Sequence, residues 1–261
     1  MITCKSPADL ERMRTANALV AEVLGKLKGM VAPGVTTLEL DASAEAWVRD
    51  AGARPAFKGY QGFPATLCTS VNEAVVHGIP NQKPLLSGDI VSIDMGVVLD
   101  GFYGDSAVTV GVDSISERAS FLLSVTEEAL AKSIQCARVG SRVSDLGHAV
   151  QQCVEKNGLS VVREFVGHGI GTSLHEEPQI PNYGEPGHGP RLAEGMVLAI
   201  EPMVNMGLAG VKVLDDGWTA VTKDGSLSAH FEHTVAVTAD GPVVLSAPIT
   251  KESQAEVIHV S

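Results

Sequence analysis

Aromatic residues are scarce in this chain, at 4% of 261 residues, so the stacking platforms on which single-stranded nucleic acids lie are missing. Positive charge is in deficit as well. Nineteen Lys and Arg stand against 31 Asp and Glu, a formal net charge of −12, and a phosphate-tracking surface would work against the protein's own field. Nucleic acid is not an expected partner. Cysteine occurs only at Cys4, Cys68, Cys136 and Cys153, without a CxxC pair or the density of a disulfide-stapled scaffold. Reduced thiols and a cytoplasmic location are the expectation. Long apolar runs are also lacking: Met1 to Arg14 mixes Lys5, Asp9, Glu11, Arg12 and Arg14, leaving no signal-peptide core, and no spanning segment follows. No membrane is expected as a partner. What the chain does have is 44% hydrophobic residues, enough to bury a core and to exclude disordered and fibrous classes.

Ser6-Pro7-Ala8-Asp9 reads as a helix N-cap, a proline at the first helical position and an acid in the first turn. Leu10, Met13, Asn17, Val20, Leu24 and Leu27 then recur at helical spacing to about Gly29. Thr36-Thr37-Leu38-Glu39 carries a capping-box pattern and opens a second helix to about Ala51. A loop with Gly59, Gly62 and Pro64 follows, then strands at 67–70 and 74–77. Residues 90–99 and 102–110 form a hairpin about Asp100-Gly101, the dipeptide a type I′ turn favours. The order then repeats, with helices at 117–137 and 143–156 and strands at 161–166, 196–204, 211–214, 218–222, 231–238 and 243–245. The expectation is an α+β fold in one domain, residues 1–261, whose halves, about 1–112 and 113–261, close around a shared sheet.

In that hairpin residue 99 faces 102 and 94 faces 107, so Asp94 and Asp105 lie on one face as diagonal neighbours. Two acids on the solvent face of a hairpin would look the same. Glu201 and Glu232, however, also sit in apolar strand-like runs, Val-Leu-Ala-Ile-Glu-Pro-Met-Val and His-Phe-Glu-His-Thr-Val-Ala-Val. Burying an unpaired carboxylate costs several kcal/mol or forces protonation, and these segments offer few Lys or Arg partners. Two divalent cations would neutralise four carboxylates. His168, between glycines in Gly-His-Gly-Ile-Gly, is a candidate nitrogen ligand, although that motif alone is equally a tight loop with a neutral histidine. One imidazole and four carboxylates without thiolate favour Mn, Fe, Co or Zn. His230 and His233 flank Glu232, and His233 is a candidate to brace it.

The runs Val-Asn-Glu-Ala-Val-Val-His-Gly-Ile-Pro (71–80), Ile-Asp-Met-Gly (93–96), Gly-Phe-Tyr-Gly-Asp-Ser-Ala (101–107), Gly-His-Gly-Ile-Gly…His-Glu-Glu-Pro (167–178), Ile-Glu-Pro-Met (200–203) and Phe-Glu-His-Thr (231–234) together resemble the type I methionine aminopeptidases. The resemblance spans nearly the whole chain. It implies the pita-bread fold of two pseudo-symmetric helix-helix-strand halves around an antiparallel sheet, and removal of the initiator methionine ahead of a small second residue. It further implies two divalent ions, with Asp94 on one, His168 and Glu201 on the other, and Asp105 and Glu232 bridging both. His77 would contact the scissile amide, His175 the carbonyl oxygen, and Glu201 would serve as general base. Tyr60, Phe63, Cys68, Leu174 and Trp218 match the methionine pocket, with His77 and His175 at its reactive end. Leu174 and Phe231 stand where phenylalanine and tyrosine are usual in the family. Asn72 and Ser228 match a monovalent-cation site. Partners implied are nascent polypeptide N-termini and, transiently, the ribosome, with the protein a monomer. An Xaa-Pro aminopeptidase or prolidase-like enzyme, or a non-catalytic binding protein of the same fold, would be the alternatives.

Overall fold

The structure, a computed structural model, describes residues 2–247; residue 1 and residues 248–261, the end of the expected second half, lie outside the described residues. The first half runs α1 (Pro7–Met30), α2 (Thr37–Asp50), β1 (Arg54–Pro55), a 3-10 turn at Tyr60–Gly62, β2 (Leu67–Val71), β3 (Ala74–Val76), β4 (Ile90–Leu99) and β5 (Phe102–Gly111). In the second half α3 (Glu117–Cys136) and α4 (Val143–Lys156) come first, then β6 (Ser160–Val161), β7 (Gly167–Gly169), β8 (Glu176–Ile180) and β9 (Val197–Ile200). The rest of the described chain forms β10 (Met203–Asn205), β11 (Val211–Val213), β12 (Ala220–Thr222), β13 (Ser228–His230), β14 (Glu232–Thr238) and β15 (Gly241–Val244).

Local chemistry fixes the starts of these elements. The Ser6 hydroxyl accepts the Asp9 N–H while the Asp9 carboxylate accepts from Ser6, and Thr36 and Glu39 repeat the exchange ahead of α2. Asp100 and Gly101 take φ of 50° and 82°, the left-handed pair a type I′ turn requires. The hairpin register follows: Leu99 faces Phe102, Asp94 faces Ala107 and Gly96 faces Asp105.

The main sheet has nine strands in the order β1-β4-β5-β14-β9-β7-β8, with β2 beside β4 and β15 beside β14. Every strand pairing among the described residues is antiparallel, and β5 of the first half pairs with β14 of the second through Ala107 and Glu232. Alternation along β4 sorts its two faces. Val91, Ile93, Met95 and Val97 pack with Val20, Leu24, Leu27 and Leu40 beneath α1 and α2, so Ser92, Asp94 and Gly96 turn to the opposite face. In the second half Leu122 of α3 and Leu146 of α4 cover Leu198 and Val235 in the same way. A Cβ at Gly104 would meet the Ala16 backbone at 2.9 Å, so α1 crosses the hairpin where only glycine lets it approach.

Several segments depart from the sequence reading, including strands at Arg54–Pro55, Gly167–Gly169 and Ser228–His230, and three more follow from proline or packing. The strand expected at 161–166 ends at Val161, and Arg163 beyond it lies over the Tyr183 ring, 4.9 Å from its centroid. The strand expected at 196–204 divides at Pro202, which has no N–H to continue a ladder. Residues before it join the main sheet, and those after it join a small sheet of β13, β10 and β6. Residues 176–180, which contain Pro178, form β8 at the edge of the main sheet, where a strand tolerates proline.

Candidate metal centre and substrate cavity

Five neighbouring strands each bring one group to the helix-free face. Asp94 comes from β4, Asp105 from β5, Glu232 from the first position of β14, Glu201 from just past β9 and His168 from β7. Ligand atoms of Asp105, His168 and Glu232 lie within 4.8 Å of one another. His168 Nε2 is 3.5 Å from Glu201 Oε1 and 4.0 Å from Asp105 Oδ2, and Asp94 completes the wall of the same cavity. Glycines at 167 and 169 make this approach possible, because a Cβ at either would run into the backbone carbonyl of Ala199 or Glu177.

The tautomer of His168 follows from its neighbour. Its Nδ1 is 2.9 Å from the Gly169 carbonyl oxygen, which can only accept, so Nδ1 carries the proton and Nε2 presents a lone pair. That lone pair faces carboxylate oxygens. Asp94 Oδ1, Asp105 Oδ1 and Glu232 Oε1 are buried without any hydrogen-bond partner, and no lysine or arginine among the described residues forms an ion pair with these groups. Burial pushes Asp94 up to about 7 and Glu201 up to about 8. Asp105 and Glu232 are raised well above the usual carboxylate range by burial and then by neighbouring carboxylates, while burial lowers His168 to about 3. A cluster of acceptors with no donor among them is a site for cations. The residues therefore fit divalent metal ions bound by oxygen and one nitrogen. Cys68 lies on the cavity wall, but burial holds its thiol well above the ordinary value, so it is a neutral surface and not a thiolate ligand.

The cavity measures about 150 Å³, below the roughly 300–1,000 Å³ of pockets for drug-sized ligands. All five acceptor residues, together with His77 and His175, line it. Tyr60, Phe63, Cys68, Leu174 and Trp218 also line it, together with Phe57 and the polar Gln61. Phe63 and Trp218 meet edge to face at 5.2 Å. Tyr60 Oη is 2.7 Å from His175 Nδ1, and the His175 ring stands 4.3 Å from that of His168. His77, at φ 59° just past β3, packs against Phe165, and burial lowers it to about 4.

Asn72 and Ser228 sit next to each other outside this cavity, the Ser228 N–H donating to the Asn72 carbonyl. Their side chains are engaged within the protein. Asn72 Oδ1 accepts from the Ile90 N–H and Nδ2 donates to Asp89, and the Ser228 hydroxyl lies 2.9 Å from Asn205 Oδ1. His233 differs from expectation: its ring turns to the helix-covered face and bonds Ser246 Oγ at 2.8 Å. His230 is the neighbour that reaches the site, with Nε2 3.6 Å from Glu201 Oε2. Strand alternation is the signal that separates them, since residues 230 and 232 share a face and 233 does not.

Residues 11–239 match the model of metallopeptidase family M24. The chain is 55% identical to a methionine aminopeptidase of Clostridium perfringens over 94% of its own length and 99% of the relative's. It is 54% identical, with the same coverage, to methionine aminopeptidase 1 of Bacillus subtilis. Among solved structures, the methionine aminopeptidase of Rickettsia prowazekii superposes with a TM-score of 0.93 at 44% identity, over 94% of this chain and all of that one. The fold is the α+β pita-bread architecture, and the chain belongs to metallopeptidase family M24, among the type I methionine aminopeptidases.

Proposed function

We propose that the chain is a metal-dependent aminopeptidase that releases the initiator methionine from new polypeptides with a small second residue. The observation that carries this is one small cavity with two unlike ends, a buried array of acceptors and an apolar wall wide enough for a single side chain. In this reading Asp94, Asp105, His168, Glu201 and Glu232 hold two divalent ions, of Mn, Fe, Co or Zn. Bound there, such ions polarise a carbonyl and activate water at neutral pH.

The chain's own residues supply the rest. Tyr60, Phe63, Cys68, Leu174 and Trp218 hold the methionine side chain and so align the bond after it. The Tyr60 hydroxyl donates to His175 Nδ1, which leaves the imidazole proton on Nε2 to meet the carbonyl oxygen as it gains charge. His77, kept neutral by burial, contacts the scissile amide. Glu201 takes a proton from water and passes it toward the departing amine. We read residues 1–261 as one domain with halves near 1–112 and 113–261, supported by the β5 to β14 pairing. A cytoplasmic monomer meeting the ribosome transiently suits a substrate that is a nascent N-terminus. A monovalent ion beside Asn72 and Ser228 would rely on backbone carbonyls, since the Asn72 amide is already bonded on both sides.

The test is methionine release from Met-Gly-Met and Met-Pro peptides beside an Xaa-Pro dipeptide, by metal-free protein with Mn, Fe, Co or Zn restored. Methionine release that returns with metal and leaves the Xaa-Pro dipeptide intact is the expected result. Hydrolysis of the dipeptide in its place would move the chain to the prolidase-like activity, and metal-independent release would undo the reading.

A further inference from the structure

His230 is a buried histidine with no part in the scheme above. It ends β13, two positions before Glu232, and is 2% exposed. One hydroxyl clamps its backbone from both sides. Thr109 Oγ1 accepts the His230 N–H at 2.9 Å and donates to the His230 carbonyl at 2.8 Å. Because that hydroxyl has a single proton, the Ser92 hydroxyl 2.8 Å away must donate to it. The chain is thus pinned where it crosses from the small sheet into β14, and the ring has no freedom to leave. Among the described residues its Nε2 is buried without a hydrogen-bond partner, yet Glu201 Oε2 stands 3.6 Å away.

Glu201 therefore lies between two imidazoles of opposite character. On one side His168 Nε2, a lone pair by its bond to Gly169, faces Oε1 at 3.5 Å. Two acceptors at that distance need a proton or a metal ion between them. On the other side no Lys or Arg among the described residues reaches Oε2, and an Nε2–H on His230 is the group that satisfies both atoms. We propose that His230 is a positioning residue: in the Nε2–H tautomer it donates to Glu201 Oε2 and so holds Oε1 toward His168 and the metal. A ligating carboxylate fixed by such a bond loses little freedom when the ion binds, and outer partners of this kind are worth 10- to 100-fold in affinity.

The proposal rests on the metallopeptidase reading of the site, and the experiment separates the two. Zn²⁺ is titrated calorimetrically into metal-free full-length protein, into His230→Gln, which keeps an N–H donor, and into His230→Leu, which does not. Expected are binding by the unsubstituted protein, affinity of the glutamine variant within about threefold of it, and a loss of roughly 10- to 100-fold for leucine at unchanged stoichiometry. Leucine binding as tightly as the parent overturns the role of His230 alone, whereas a parent that binds no metal overturns the site itself. A glutamine variant as weak as leucine, with an altered visible spectrum of the cobalt-loaded protein, makes the imidazole a direct ligand and overturns the positioning role. Should the leucine variant fail to fold, the zinc-loaded parent labelled with ¹⁵N-histidine decides: a protonated His230 Nε2 bears the proposal out, and a bare Nε2 overturns it.

Discussion

The 2.7 Å contact between Tyr60 Oη and His175 Nδ1 settles which nitrogen of His175 is left to act on a substrate. Nδ1 is engaged by the hydroxyl, and in the proposed reading, where Tyr60 donates, Nε2 holds the proton and is the donor available to a developing oxyanion. His175→Ala is expected to lower kcat by roughly 10²- to 10³-fold, the usual effect of removing one such donor, with KM for Met-Gly-Met little changed. Tyr60→Phe should cost less, about the 1 kcal/mol of one net hydrogen bond. Steady-state kinetics decide this, and an unimpaired His175→Ala enzyme would take His175 out of the chemistry. Much of this cavity was legible in the sequence because charge in an apolar strand has few explanations: Glu201 and Glu232 stand out in their runs, and turn arithmetic puts Asp94 beside Asp105. Contacts set by the third dimension alone were not legible. Phe57 reaches the cavity from the stretch after β1, and no local pattern marks it, whereas alternation from Glu232 already separates His230 from His233.

Lys5 illustrates the same limit for whole segments of chain. Its ammonium pairs with Glu176, 171 positions away, and the two side chains are 5% and 15% exposed. Glu176 Oε1 also accepts the N–H groups of Thr172 and Ser173, closing the turn that presents Leu174 and His175. The stretch before α1 thereby supports the cavity wall from behind, a role that no local pattern around Lys5 announces. Lys5→Met strands a largely buried carboxylate, and its expected cost is the lower end of about 3–5 kcal/mol, since two backbone donors remain. Urea unfolding measures it, and a change below about 1 kcal/mol would show that the backbone bonds alone secure the turn. The hairpin, by contrast, was readable to the residue from Asp100-Gly101, but not the helix lying on it. Gly104→Ala pushes a methyl group against the Ala16 backbone and is expected to destabilise by about 1–3 kcal/mol, as overpacking does. An unchanged thermal midpoint would mean that α1 shifts freely. The strand at 176–180 is not readable from sequence because Pro178 argues against a strand unless the strand is known to lie at an edge.

The residues that would hold metal come from both ends of the chain. Asp94 and Asp105 come from the N-terminal side, His168, Glu201 and Glu232 from the C-terminal side, and the pairing of β5 with β14 brings them together. Cations bound there would tie these segments together, and binding to the folded state alone stabilises by about 2.7 kcal/mol at a metal concentration 100 times Kd. Without metal the balance reverses with pH. Burial raises Asp94 from 3.8 to about 7 and Glu201 from 4.5 to about 8, so the folded protein holds protons that the unfolded chain releases at lower pH. Stability falls with rising pH wherever the folded state binds more protons. Below about 6.5 the buried neutral histidines His77, His168 and His233, which the unfolded chain protonates, oppose this trend, so the metal-free protein should lose stability mainly between about pH 6.5 and pH 8 and level off past about 8. Metal binding displaces those protons, so the gain from added Zn²⁺ or Mn²⁺ should grow across the same window. Thermal melts at pH 5, 6, 7 and 8, with chelator and with metal, give both curves. Midpoints that diverge as pH rises match this account, whereas parallel curves would mean that the buried carboxylates are not where the ions bind.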